Sequence, residues 1–132
     1  MGVKRGEIYF VDLGQIRHDF GPVSNKEPTK RRPVVVLSIN SLNDLADSTM
    51  ILVCVVPGTS GSNVPSDYPT QIRVPAGVSG LRNETVFRAF QITSLDSRRF
   101  DARPAGRLPG VYLEKLEDAV RFVLGMSGIP RK

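Results

Sequence analysis

Three stretches of the chain bring together side chains able to handle a charged substrate. Residues 26–33 read Lys26-Glu27-Pro28-Thr29-Lys30-Arg31-Arg32-Pro33, four bases and one acid immediately ahead of an apolar run. Charge runs of this kind usually serve only as solvated surface. Arg32 differs because Pro33 sets it at the threshold of the core, where a guanidinium can present its planar fork to a phosphate better than a mobile lysine does. In Pro57-Gly58-Thr59-Ser60-Gly61, backbone N–H groups of a Gly-rich turn and two adjacent hydroxyls suit an anion. A plain strand-ending turn has the same composition, and no lysine follows the glycines in the register of a P-loop. Phe87-Arg88-Ala89-Phe90-Gln91 interleaves aromatic and basic side chains, which can stack on and neutralise single-stranded nucleic acid; more often such phenylalanines are core and the arginine faces water. His18 is the sole histidine and so a tempting general base, but a lone loop histidine is usually a surface residue.

The elements that must carry these groups fit one domain over residues 1–132. A chain of this length buries roughly two-thirds of its unfolded surface, so it needs neither disulfides nor a structural metal. Its single cysteine, Cys54, cannot pair internally, and one Cys with one His cannot supply a typical zinc site, so zinc chemistry is not expected. The longest apolar run, Met50 to Val56, has seven residues against the roughly twenty of a membrane helix. Near the N-terminus, Glu7 and Asp12 interrupt what would have to be the apolar core of a signal peptide. A soluble, cytoplasmic protein without membrane partners is expected. Eighteen Lys and Arg against 13 Asp and Glu give a net charge of +5 and a pI near 9.8, which favours a polyanion such as nucleic acid, or an acidic protein.

Glu7–Leu13, rich in β-branched and aromatic residues, reads as a first strand, followed by a long polar loop over 15–31. Pro33–Ser38 is a second strand, apolar enough to be buried on both faces, and Asn40–Ala46 a short helix. Thr49–Val56 is a third strand, which turn chemistry at Pro57-Gly58 ends. Thr70–Val74 alternates as a half-exposed strand, 84–89 and 90–95 are extended, and 105–108 adds a short edge strand. From Val111 to Leu124, apolar residues recur at three- and four-residue spacing, with Glu117 placed to pair with Arg121 and Gly125 as the stop. One amphipathic helix on a mostly antiparallel sheet follows.

In this order the pieces resemble the MazF/PemK-type toxin endoribonucleases. The resemblance rests on residues 4–13, Glu27 followed five residues on by Arg32-Pro33-Val34-Val35-Val36-Leu37-Ser38, Val55-Val56-Pro57-Gly58-Thr59-Ser60, Gln91-Ile92-Thr93-Ser94-Leu95-Asp96 and the C-terminal helix. It implies a mainly β (α+β) fold: an SH3-like small barrel of antiparallel strands with a C-terminal amphipathic helix, of the CcdB/PemK-like type. It also implies a homodimer that cuts single-stranded RNA sequence-specifically without a metal or any other cofactor, and a cognate MazE-like antitoxin. The family's catalytic arginine and threonine match Arg32 and Thr59. Its glutamate ahead of the Arg-Pro pair matches Glu27, the first candidate for general base, with Asp12 the second. Lys30, Arg31, Ser60, Arg88 and Gln91 join Asp12 as candidate RNA-binding residues. The chain departs from the family in having no glycine between Glu27 and Arg32, Phe90 where PemK-like members place an acid, and His18 remote from Glu27. A related toxin of the same fold that binds and poisons DNA gyrase without catalysis is the alternative. On this resemblance the charge excess concentrates along the RNA path, in Lys26, Lys30, Arg31 and Arg32 and again in Arg98, Arg99, Arg103 and Arg107.

Overall fold

The computed structural model describes residues 2–12, 31–49 and 52–126. The expectations for Glu27, Lys30 and His18 therefore lie outside the described residues. Within them the chain forms β1 Glu7–Asp12, β2 Arg31–Val36, α1 Asn40–Thr49, β3 Val53–Ser60, β4 Gln71–Val74, β5 Thr85–Arg88, β6 Thr93–Leu95, β7 Gly106–Arg107 and α2 Gly110–Val123, with 3-10 turns at Gly61–Asn63, Ala89–Gln91 and Ser97–Arg99. All pairings are antiparallel, along the path β4-β5-β3-β2-β1-β7 with β6 also on β3. The result is a curled half-barrel with a C-terminal helix, as the resemblance implied.

Alternation along the strands builds a core on each face of the sheet. Tyr9, Val11, Val34, Val36, Val53 and Val55 face one way, with Ala46 of α1 packed among them. Ile8, Val35, Val56 and Phe87 face the other way, covered by Leu116 and Ala119 of α2. That division explains why β2 reads as continuously apolar: Val34, Val35 and Val36 are all fully buried, on alternate sides. A positive φ of 73° at Gly125 follows α2, the left-handed geometry that glycine accepts without strain. Glu117 pairs with Arg5 rather than with Arg121, which instead meets Asp118 at 3.2 Å.

The strand β3 departs most from expectation. Thr49 belongs to α1, and the strand does not stop at Pro57-Gly58 but continues to Ser60. Its first half lies between β2 and β6, and Gly58–Ser60 pair with β5. The Cys54 carbonyl accepts the Leu37 N–H on the β2 side, so alternation turns the Pro57 nitrogen to the opposite side. There the partner leaves the ladder in the Ala89–Gln91 turn, between Phe87, opposite Gly58, and Thr93, opposite Val55. Proline has no N–H to donate, and the sheet asks for none at that point. The same turn breaks the extended segment expected over 90–95. Because β2 pairs with β3 only as far as Pro57, the start of β2 and the end of β3 diverge. A cleft opens between them.

Candidate active site

Arg32 stands opposite Val11, in the row of side chains that forms the first core. Its Nε donates to the Gly58 carbonyl at 2.9 Å, and its Nη2 donates to Gln91 Oε1 at 3.0 Å. One guanidinium is thus tethered to the end of β3 and to the turn between β5 and β6. Burial, and secondarily the like charge of Arg88, push its pKa below the ordinary guanidinium value. A cation desolvated beside another cation gains from an anion arriving between them.

Gly58 is required for this approach of elements. A Cβ there would sit 2.9 Å from Thr85 Cγ2 and 3.0 Å from Phe87 Cδ1, so any larger residue pushes β3 off β5 and carries the Arg32 acceptor with it. Thr59 follows, and its Oγ1 accepts a hydrogen bond from Asn63 Nδ2 at 3.1 Å. Ser60 Oγ lies 3.0 Å from Ser62 Oγ. The Arg88 guanidinium lies over the Phe90 ring, 4.7 Å from its centroid, while its buried Nε has no hydrogen-bond partner. Arg31 donates to the Phe10 carbonyl and pairs with Asp101 at 2.8 Å.

Six of the expected residues, Arg31, Arg32, Thr59, Ser60, Arg88 and Gln91, line one cleft of about 770 Å³. Asp12 is not among its lining residues: it ends β1, exposed, with its carbonyl accepting from Arg99 Nη1 at 3.1 Å. Arg98, Arg99, Arg103 and Arg107 do not line it either, and Arg98 is paired with Asp96 at 2.6 Å, so this part of the charge excess does not address the cleft. The cleft adds Asn63, Arg82 and Glu84, which sequence reasoning missed. Asn63 lies two residues beyond the Pro57–Gly61 stretch, and nothing in its residue type marks it. Glu84 is held by Arg73 of β4 at 2.9 Å, eleven residues earlier, and no local pattern reveals that contact. Among the described residues no three His, Cys, Asp or Glu side chains group to hold a metal ion. No described helix is long and apolar enough to cross a membrane.

Fold and cleft together define a curled β half-barrel whose cleft gathers a tethered guanidinium and two hydroxyl-bearing residues, Thr59 and Ser60. A family model for the PemK-like, MazF-like toxins of type II toxin-antitoxin systems matches residues 4–124, and the chain belongs to that family. The protein named endoribonuclease MazF9 of Mycobacterium tuberculosis is 33% identical over 129 residues, spanning 94% of this chain and 98% of its own length. Endoribonuclease EndoA of Bacillus subtilis is 25% identical, over 96% of this chain and 97% of its own. Among solved structures, MazF of Deinococcus radiodurans superposes with a TM-score of 0.66 at 25% identity, covering 96% of this chain and 99% of that one. A MazE-MazF structure from the same organism gives 0.66 at 24% identity, over 96% of this chain and 99% of that one, and shares the fold.

Proposed function

We propose that this chain is the toxin of a type II toxin-antitoxin pair and an endoribonuclease that cuts single-stranded RNA, sequence-specifically and without a metal. The observation that carries this is the Arg32 guanidinium, partly desolvated, tethered to Gly58 and Gln91, in a cleft that Thr59 also lines. Family membership and relatives named endoribonucleases support it.

RNA supplies its own nucleophile. The 2′-oxygen forms a bond to the adjacent phosphorus as the bond to the 5′-oxygen breaks, leaving a 2′,3′-cyclic phosphate and a 5′-hydroxyl. One proton leaves the 2′-OH and one reaches the departing 5′-oxygen. Arg32 stabilises charge on the phosphoryl oxygens and remains cationic at any working pH, which also makes it a poor base. Thr59 donates its hydroxyl hydrogen to a phosphoryl oxygen. Glu27, five residues before Arg32, is the proposed proton acceptor; Asp12, outside the cleft lining, is the weaker candidate. Arg31, Lys30, Ser60, Arg88 and Gln91 bind the strand on either side. The protein works as one domain, a cytoplasmic homodimer, and a MazE-like antitoxin blocks the cleft; solved MazE-MazF structures that share the fold support the pairing.

The test is incubation of the purified protein with single-stranded RNA in the presence of chelator, followed by identification of the termini. Cleavage with cyclic-phosphate ends is expected. Arg32→Ala should lower the rate by about 100- to 1000-fold, the usual effect of losing one transition-state donor. RNA left intact over a broad range of sequences would return the weight to the gyrase-binding alternative.

A further inference from the structure

Asn63 Nδ2 donates to Thr59 Oγ1 at 3.1 Å. A hydroxyl has one hydrogen and two lone pairs, so an amide N–H occupying a lone pair leaves the hydrogen to be given elsewhere. We propose that Asn63 is a positioning residue: it holds the Thr59 hydroxyl as an acceptor, so that the hydroxyl delivers its single hydrogen to the phosphoryl oxygen bound beside Arg32. The assignment rests on the RNA-cleaving function proposed above and adds to it a residue outside the Arg32 and Thr59 pair.

Asn63 is exposed, and water competes for such a bond unless the backbone is fixed. The 3-10 turn Gly61–Asn63 is fixed from three sides. Gly61 N–H donates to the Glu84 carbonyl at 2.9 Å and Val64 N–H to the Gly61 carbonyl at 3.1 Å. Arg73 reaches in from β4, its Nη1 donating to the Gly61 carbonyl at 3.3 Å and its Nη2 to the Val64 carbonyl at 2.6 Å. The same guanidinium is ion-paired with Asp67 and Glu84, at 2.8 and 2.9 Å. Gly61 is buried so tightly that a Cβ would fall 2.1 Å from Glu84 Oε1. Asn63 thus projects from a clamped turn, four residues after the threonine it meets.

Two substitutions separate this role from mere packing. Asn63→Ala removes the donor, and kcat for RNA cleavage should fall about three- to tenfold with KM within about twofold, the scale of one neutral hydrogen bond. Asn63→Asp places an acceptor-only group against Thr59, which then gives its hydrogen to the carboxylate instead of the phosphate. It should therefore fall below Asn63→Ala and approach Thr59→Val. The added negative charge also weakens RNA attraction, so both changes are repeated in the Thr59→Val background, where neither should lower kcat further. Binding of an RNA with deoxyribose at the cut site and thermal melting report whether each variant folds and holds the strand. Asn63→Asp cleaving as well as or better than Asn63→Ala would overturn the assignment, as would losses of kcat that persist in the Thr59→Val background. If the parent protein itself cleaves no RNA, the proposed function falls, and the role of Asn63 with it.

Discussion

Arg32 and Arg88 share a cleft, and the like charge of Arg88, added to burial, disfavours the charged form of Arg32; an anion bound beside both guanidiniums relieves that strain. The guanidinium remains cationic at working pH, so the strain surfaces as a dependence on anions rather than on pH. Sulfate at constant ionic strength should raise the parent's melting temperature more than it raises that of an Arg32→Gln, Arg88→Gln double variant, which controls for the general salting effect. Equal rises in both proteins would remove the anion site. Charge alone is not enough at position 32. Its Nε and Nη2 serve two different acceptors while the planar group faces the cleft, and a lysine ammonium cannot reproduce that fork. Arg32→Lys should keep RNA binding within a few fold and lower kcat at least about tenfold. Single-turnover cleavage compared with binding of a deoxyribose-blocked RNA separates the two effects.

At the scale of elements, β3 connects the core to the chemistry. Val53 and Val55 anchor it in one core, Val56 in the other, and Gly58 to Ser60 carry the site. Gly58→Ala forces a methyl group against Thr85 and Phe87, and overpacking of this sort costs about 1–3 kcal/mol. The same shift displaces the carbonyl that holds Arg32. Urea unfolding should show the loss of stability, and cleavage by the still-folded variant should drop as well; a stable variant with full activity would show that β3 and β5 can separate without harm. This strand also marks where the sequence stopped being legible. β1 and β2 follow from β-branched and apolar composition, and α2 from its 3.6-residue periodicity, because their burial is of the ordinary kind. Pro57-Gly58 carries turn residues for reasons of register and close packing, proline facing the break in its neighbour and glycine allowing β5 to approach, and no local pattern separates those demands from a turn. The motif residues Arg32, Thr59 and Gln91 were legible through the family resemblance. Asn63, Arg73 and Glu84 were not, because their importance lies in how β4 and the segment before β5 clamp the Gly61–Asn63 turn beside Thr59.

The whole molecule carries a net +5, but the excess is unevenly useful. Arg31, Arg32, Arg82 and Arg88 line the cleft, whereas Arg98 is paired with Asp96 and Arg103 is not among the lining residues. Sequence alone assigned the downstream arginines to the RNA path because linear density of charge says nothing about which wall of a half-barrel bears it. The distinction is measurable. Each phosphate neutralised on a single strand contributes about −0.7 to the slope of log K against log salt. Arg82→Gln and Arg88→Gln should each make the slope for a deoxyribose-blocked RNA shallower by about that amount. Arg98→Gln and Arg103→Gln should leave it unchanged, since neither side chain reaches the cleft. If the downstream pair alters the slope as much as the cleft pair does, the strand runs over a wider surface than the cleft, and the path drawn through Arg32 and Gln91 is too narrow.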